Sequence, residues 1–251
     1  MSDYSGSRRI ILITGASRGI GAAVARQLAG PHTHVVINYR EKAKRAQAVA
    51  DDITAAGGSA SVFGADIANR PDCERLMAHL ADHFGRLDAL VLNASGGLER
   101  GATPQYPMLI NRDAPELLAR LAIPLLPDGG RIIFVTSHQA HFHGIKPVPE
   151  DYVPIAASKR AGEDRLLAMR RELSSRGVAV TVVSGDMIDG TIIVRLLQRR
   201  DPDAVAARRA HGNLPTVDEF AAAIAGAINT PTPTDEPIYV GGLDYLAEAR
   251  R

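Results

Sequence analysis

The chain has 251 residues, 45% of them hydrophobic and 23% charged, with a formal net charge of +1. That balance fits a globular protein with enough apolar material for a sizeable core, and near-neutrality excludes a basic nucleic-acid footprint. No apolar run approaches the roughly 18 residues of a membrane span, and a single cysteine, Cys73, excludes an internal disulfide or a cysteine-rich metal site.

Met1–Arg8 is small and polar, without the apolar stretch of a signal peptide, so it reads as a flexible arm and the expected compartment is the cytoplasm. Arg9–Thr14 predicts the first strand, followed by a glycine-rich turn and a helix over Gly19–Ala29. His34–Tyr39 predicts a strand, Lys42–Ala56 a helix closed by Gly57 and Gly58, and Ser59–Gly64 a third strand. A helix over Arg70–Phe84 carries Cys73, read as a small buried side chain rather than a reactive thiol. Strand Ala89–Asn93, helix Met108–Ile123, strand Arg131–Thr136, helix Pro154–Arg176 and strand Ala179–Ser184 follow. Thr216–Asn229 predicts the last helix and Pro237–Val240 the last strand.

Strands nearly all apolar, alternating with helices, predict βαβ units and a parallel sheet covered on both faces. The expected fold is α/β: a doubly wound, Rossmann-type three-layer α/β/α domain with seven parallel strands over residues 1–251. Thr191–Ala210 fits the alternation least. It reads either as a helical lid over the carboxyl ends of the strands or as a surface helical hairpin.

The turn Thr14-Gly15-Ala16-Ser17-Arg18-Gly19-Ile20-Gly21 leaves a strand and opens a helix. Gly15 permits the tight turn, Gly19 close approach of backbone to a pyrophosphate, and Gly21 packing of helix on strand. The helix N-terminus offers free N–H groups and partial positive charge to phosphate. At the end of the second strand, Asn38-Tyr39-Arg40 lacks the acid that would bind a ribose 2′-hydroxyl. Arg18 and Arg40 suit a 2′-phosphate instead, so the expected cofactor is NADP(H).

From about Arg9 to Gly242 these residues resemble the short-chain dehydrogenase/reductase family. Its Thr-Gly-x-x-x-Gly-x-Gly turn is matched in full at Thr14–Gly21. Asp66, in Gly64-Ala65-Asp66-Ile67, matches the family's adenine-binding acid. The signature after strand four is modified to Leu92-Asn93-Ala94-Ser95-Gly96, and Tyr239-Val240-Gly241-Gly242 resembles the closing strand. The resemblance implies cofactor contacts from Gly15, Ser17, Arg18, Gly19, Ile20 and Gly21, then Tyr39, Arg40, Asp66, Ile67, Asn93 and Ala94. Lys159, Gly185, Ile188 and Thr191 complete the expected set. Asn111 is similar to the helical Asn that helps hold a proton-relay water. The family's usual pairing implies a homodimer or homotetramer built through the Met108–Ile123 and Pro154–Arg176 helices.

The family's chemistry uses a Ser to orient a carbonyl, a Tyr to protonate its oxygen, and a Lys four residues later to lower the phenol pKa. Ser137 and Lys159 fit their positions, the latter within Ala157-Ser158-Lys159-Arg160-Ala161. Ile155 stands where the Tyr belongs. The nearest phenol is Tyr152. A three-residue shift on a helix rotates a side chain by roughly 60° and moves it ~4.5 Å. Pro154 should sit in the first turn, however, so Tyr152 falls just before the helix, carried by a His- and Pro-rich insertion, Gln139–Asp151. Tyr152 is the expected displaced proton donor, with His138, His141 and His143 as alternatives to it. Those histidines lack the companions of a metal site, so no metal is expected. Asp186 and Asp189 read either as substrate-facing or as caps for the lid helix.

The sequence thus predicts an NADP(H)-dependent oxidoreductase acting on a small carbonyl or alcohol substrate. Two other readings stand beside it: a non-catalytic NADP(H)-binding sensor or partner subunit, and a reductase of another bond such as an activated alkene.

Overall fold

The computed structural model describes residues 8–99, 101–210, 212–242 and 246–247. Most of the expected N-terminal arm therefore lies outside the described residues. The first half of the chain runs β1 (Arg9–Ile13), α1 (Gly19–Leu28), β2 (Thr33–Tyr39), α2 (Ala43–Ala55), β3 (Ser59–Gly64), α3 (Arg70–Phe84) and β4 (Ala89–Leu92). Next come α4 (Tyr106–Met108), a π-helical turn (Leu109–Asp113), α5 (Ala114–Ala122), β5 (Arg131–Ser137), α6 (His138–His141) and a 3-10 turn (Glu150–Tyr152). The remainder is α7 (Val153–Ala168), α8 (Arg170–Ser174), β6 (Ala179–Gly185), α9 (Ile192–Arg200), α10 (Pro202–Ala210), α11 (Val217–Asn229) and β7 (Ile238–Val240).

The seven strands form one parallel sheet in the order β3-β2-β1-β4-β5-β6-β7. Strand periodicity sends alternate side chains to opposite faces, and each face has its own core. Leu12, Val36, Leu90 and Ile132 pack with Leu76, Leu80 and Leu118 on one side. Ile11, Ile13, Val35 and Ile37 pack with Val49, Ile53, Phe220 and Ile224 on the other. Neighbours on both sides explain why the central strands are apolar nearly throughout. The strand order reverses between β1 and β4, the switch point at whose carboxyl ends doubly wound sheets bind their ligands.

Two predicted helices are subdivided. Met108–Ile123 contains the π turn, and Pro154–Arg176 breaks at Met169. Thr191–Ala210 is a two-helix hairpin that restarts at Pro202, a residue tolerated in a first turn, around a small core of Val194, Val205 and Leu214. Helix α6 and the Glu150–Tyr152 turn, at the two ends of the His- and Pro-rich insertion, have too few residues for a readable period. Among the described residues, no helix is long and apolar enough to cross a membrane.

Candidate functional site

The glycine-rich turn is braced from behind by β2 and β4. Thr14, fully buried, receives the backbone N–H groups of Asn93 and Ala94 on its hydroxyl, each at 3.0 Å. Asn93 Nδ2 donates to the Thr14 carbonyl at 2.9 Å. Asn38 accepts from the Gly15 N–H at 3.3 Å and donates to the Ala65 carbonyl at 3.0 Å. Asn38 is a site residue that the sequence reading passed over; the signal was an amide inside an otherwise apolar strand. A methyl group on Gly21 would stand 2.6 Å from Asn93 Nδ2 and 2.9 Å from the Ala16 backbone, so only glycine lets α1 sit this close to β4.

On its outer side the turn is open. Gly19 has φ +55°, and a Cβ there would meet nothing within 4 Å. Arg18, exposed at the N-cap of α1, makes no side-chain cap, so the first-turn N–H groups remain available to an anion. These features fit a dinucleotide pyrophosphate. At the end of β2, Arg40 is exposed; its guanidinium donates to the Tyr106 hydroxyl, lies 5.8 Å from that ring's centroid and pairs with Glu41 at 3.1 Å. Asp66 accepts from the Ala68 N–H at 3.0 Å, beside buried Ile67, and the Tyr39 ring covers Gly64.

Ser137 ends β5 and caps α6, accepting from the Ala140 N–H at 3.3 Å. Its Oγ lies 3.2 Å from the Tyr152 hydroxyl. Tyr152 closes the 3-10 turn, and α7 begins at Val153 with Pro154 in its first turn, as the proline position predicts. Burial pushes the phenol above its ordinary range, and the Ser137 hydrogen bond opposes that shift. Lys159 lies seven residues along, on α7; burial pulls its ammonium down to about 8, against the raising effect of Glu163. The structure thus brings Ser137 and Tyr152 together. Among the described residues no hydrogen bond joins Tyr152 to Lys159.

Ile155 is buried, with its Cδ1 only 2.4 Å from where a Gly97 Cβ would stand. It fills an apolar slot beneath the loop after β4. Asn111, also buried, sits in the π turn, where its side chain exchanges hydrogen bonds with Gly96 and donates to Ser158 Oγ at 3.0 Å. Gly162 of α7 packs against the Asn111 carbonyl, which would be 2.1 Å from a Cβ.

Two of the alternative proton donors are already engaged. His138 is buried with Nδ1 2.8 Å from Ser184 Oγ and Nε2 3.1 Å from the Gly241 carbonyl. Burial lowers its pKa, which keeps the imidazole neutral. His141 uses both nitrogens as well, on Glu163 and on Tyr239. Asp186 and Asp189 are not the cap of α9. They hold α10 by pairing with Arg208 and Arg209, while Thr191 caps α9 through a bond from the Val194 N–H. Ile188 is buried, with its Cδ1 beside Gly185. Cys73 is buried, its thiol pushed up to about 12 chiefly by desolvation.

Residues 9–201 match the family model described as short chain dehydrogenase. A hydroxynaphthalene reductase-like protein of Metarhizium brunneum is 33% identical over 192 residues, covering 72% of this chain and 70% of its own length. A crystal structure of the angucycline C-6 ketoreductase LanV with bound NADP superposes with a TM-score of 0.79 at 29% identity, covering 94% of this chain and 96% of the other. A short chain dehydrogenase from Burkholderia cenocepacia in complex with NADP also gives 0.79, at 28% identity, covering 95% and 98%.

Proposed function

As the chain belongs to the short-chain dehydrogenase family, we propose that it is an NADP(H)-dependent oxidoreductase that interconverts a ketone and an alcohol. One observation carries the reading: a phenol supplied from outside the usual position stands within hydrogen-bond reach of Ser137. The two solved relatives with bound NADP, one of them a ketoreductase, support the choice of cofactor and reaction.

The open turn Gly15–Gly21 and the N-terminus of α1 hold the pyrophosphate, Asp66 the adenine, Lys159 a ribose, and Arg18 with Arg40 the 2′-phosphate. When bound, the cofactor supplies the hydride that reaches the carbonyl carbon. Ser137 donates a hydrogen bond to the carbonyl oxygen and fixes its position. Tyr152 then gives its phenolic proton to that oxygen. A phenol pushed upward by burial stays protonated at neutral pH, the state that reduction needs. In this reading the Lys159 ammonium supplies the positive charge that stabilises the phenolate left behind. The hairpin α9–α10 covers the substrate side; its Arg200 reaches Asp151, next to Tyr152, at 3.0 Å. Pairing of two or four copies through α4–α5 and α7 completes the proposed enzyme.

The non-catalytic reading draws on Ile155 alone. Oxidation of NADPH followed by absorbance over a panel of aromatic and aliphatic ketones separates the two. Turnover with NADPH in preference to NADH is expected. Tight NADPH binding with no turnover of any carbonyl would favour the sensor.

A further inference from the structure

Glu163 lies four residues beyond Lys159 on α7 and is fully buried. Its Oε1 accepts from His141 Nδ1 at 2.7 Å and from Arg160 at 3.3 Å. Arg160 also donates to the His141 carbonyl at 2.9 Å, so two residues of α7 grip one residue of α6. With its proton on Nδ1, His141 accepts at Nε2 from the Tyr239 hydroxyl at 2.9 Å, and Tyr239 stacks on Phe142. Glu163 Oε2 is buried without a hydrogen-bond partner. A carboxylate sealed from water in this way is strongly unfavourable unless positive charge stands close by.

The groups facing Glu163 can be named from each element around it. Its own helix supplies Lys159 and Arg160, α6 supplies His141, and β7 supplies Tyr239 through His141. Arg160 divides its charge with Asp164 at 2.7 Å. Arg165 is turned to Asp113 and Glu116, on the π turn and α5, at 3.0 and 2.7 Å. Asp186, near His138, pairs with Arg208. Lys159 has no ion pair of its own among the described residues, and residues four apart on a helix are neighbours.

Geometry also gives the pair a mechanical task. Had the phenol stood at position 155, the helix itself would have aimed it. Tyr152 is instead delivered by the segment from Ser137 to Asp151, which needs its own anchors. His138 ties the start of that segment to β6 and to Gly241, and His141 ties it to α7.

We propose that Glu163 is a positioning residue for the reduction: its carboxylate is the counter-charge of the Lys159 ammonium, and its bond to His141 fixes the segment that carries Tyr152. The proposal rests on the oxidoreductase reading above. Glu163 opposes the effect of burial on Lys159, so removing its charge should make the ammonium easier to lose.

The test compares wild type with Glu163→Gln, Glu163→Asp and His141→Gln, reading kcat for ketone reduction by NADPH from pH 6 to 10, with Tm and NADPH affinity alongside. In Glu163→Gln the alkaline limb of kcat should move down by about 1 pH unit, and Glu163→Asp should bring it back towards wild type. His141→Gln keeps the charge and loosens the segment, so kcat should fall on the order of 10-fold with the limb in place. That variant serves if Glu163→Gln does not fold. A limb unmoved in Glu163→Gln would reduce Glu163 to a structural anchor, and an unchanged kcat in His141→Gln would overturn the positioning role. A wild type that binds NADPH but reduces no ketone would defeat the oxidoreductase reading itself, and the Glu163 proposal with it.

Discussion

Ser137 Oγ and the Tyr152 hydroxyl stand 3.2 Å apart, although 15 positions separate them in the chain. The contact joins the end of β5 to the residue just before α7. Ser137 accepts from the Ala140 N–H, which leaves its own proton for Tyr152 or for a carbonyl oxygen. Ser137→Ala is therefore expected to lower kcat by about 10²–10³ and to leave NADPH affinity as it was. Steady-state kinetics with a fluorescence titration of NADPH checks both.

Arg40 is held beside the cofactor crevice by Tyr106 and Glu41 rather than being loose surface. Charge-assisted contacts of a guanidinium with a phosphate are typically worth about 1.5–3 kcal/mol, roughly 10- to 100-fold in affinity. Arg40→Ala should weaken NADPH binding by that factor and leave NADH binding almost unchanged. Equal losses for the two cofactors would remove Arg40 from the 2′-phosphate site.

The close approach of α7 to the π turn depends on Gly162. A methyl group there would meet the Asn111 carbonyl at 2.1 Å, a backbone atom that cannot swing away. Overpacking of this kind typically costs about 1–3 kcal/mol, roughly 3–10 °C in Tm for a chain of this size. Gly162→Ala should show that loss in a thermal melt, together with lower kcat as Asn111 shifts. An unchanged Tm would mean that the two helices separate without cost.

The pH dependence follows from two groups displaced in opposite directions. Burial raises the Tyr152 phenol, so it remains protonated through the neutral range. Burial pulls Lys159 down to about 8, so its ammonium is present below that pH and lost above it. At saturating NADPH, kcat for reduction should fall as pH rises through about 8. In Lys159→Met the rate should be lower throughout and the limb should vanish. A limb placed near the ordinary lysine value instead would show that Lys159 stays hydrated in the working enzyme.

Much of the fold was legible because buried parallel strands leave an unambiguous trace: Arg9–Ile13, Ala89–Leu92 and Arg131–Ser137 are apolar runs of strand length bounded by turn residues. The glycine turn was legible for a similar reason, since each glycine answers a local backbone demand. The π turn at Leu109–Asp113 was not, because a single extra residue per turn leaves the apolar period nearly intact. Nor did spacing reveal the tasks of Asp186, Asp189 and His138. Their partners, Arg208, Arg209 and Ser184, lie 20 to 46 positions away and meet them only once β6 and the α9–α10 hairpin are folded. Tyr152 lies between these cases. Pro154 fixed where α7 begins, but the direction of the phenol was set by the insertion, whose conformation has no periodicity to read.

The most direct measurement is kcat for ketone reduction by Tyr152→Phe, with NADPH affinity determined in parallel. Ile155 is packed under Gly97, and His138 and His141 have both nitrogens engaged, so none of these three stands ready to replace the phenol. Loss of the proton donor should lower kcat by about 10²–10⁴ while NADPH binds as in wild type. Full activity in Tyr152→Phe would contradict the assignment and move the proton donor elsewhere.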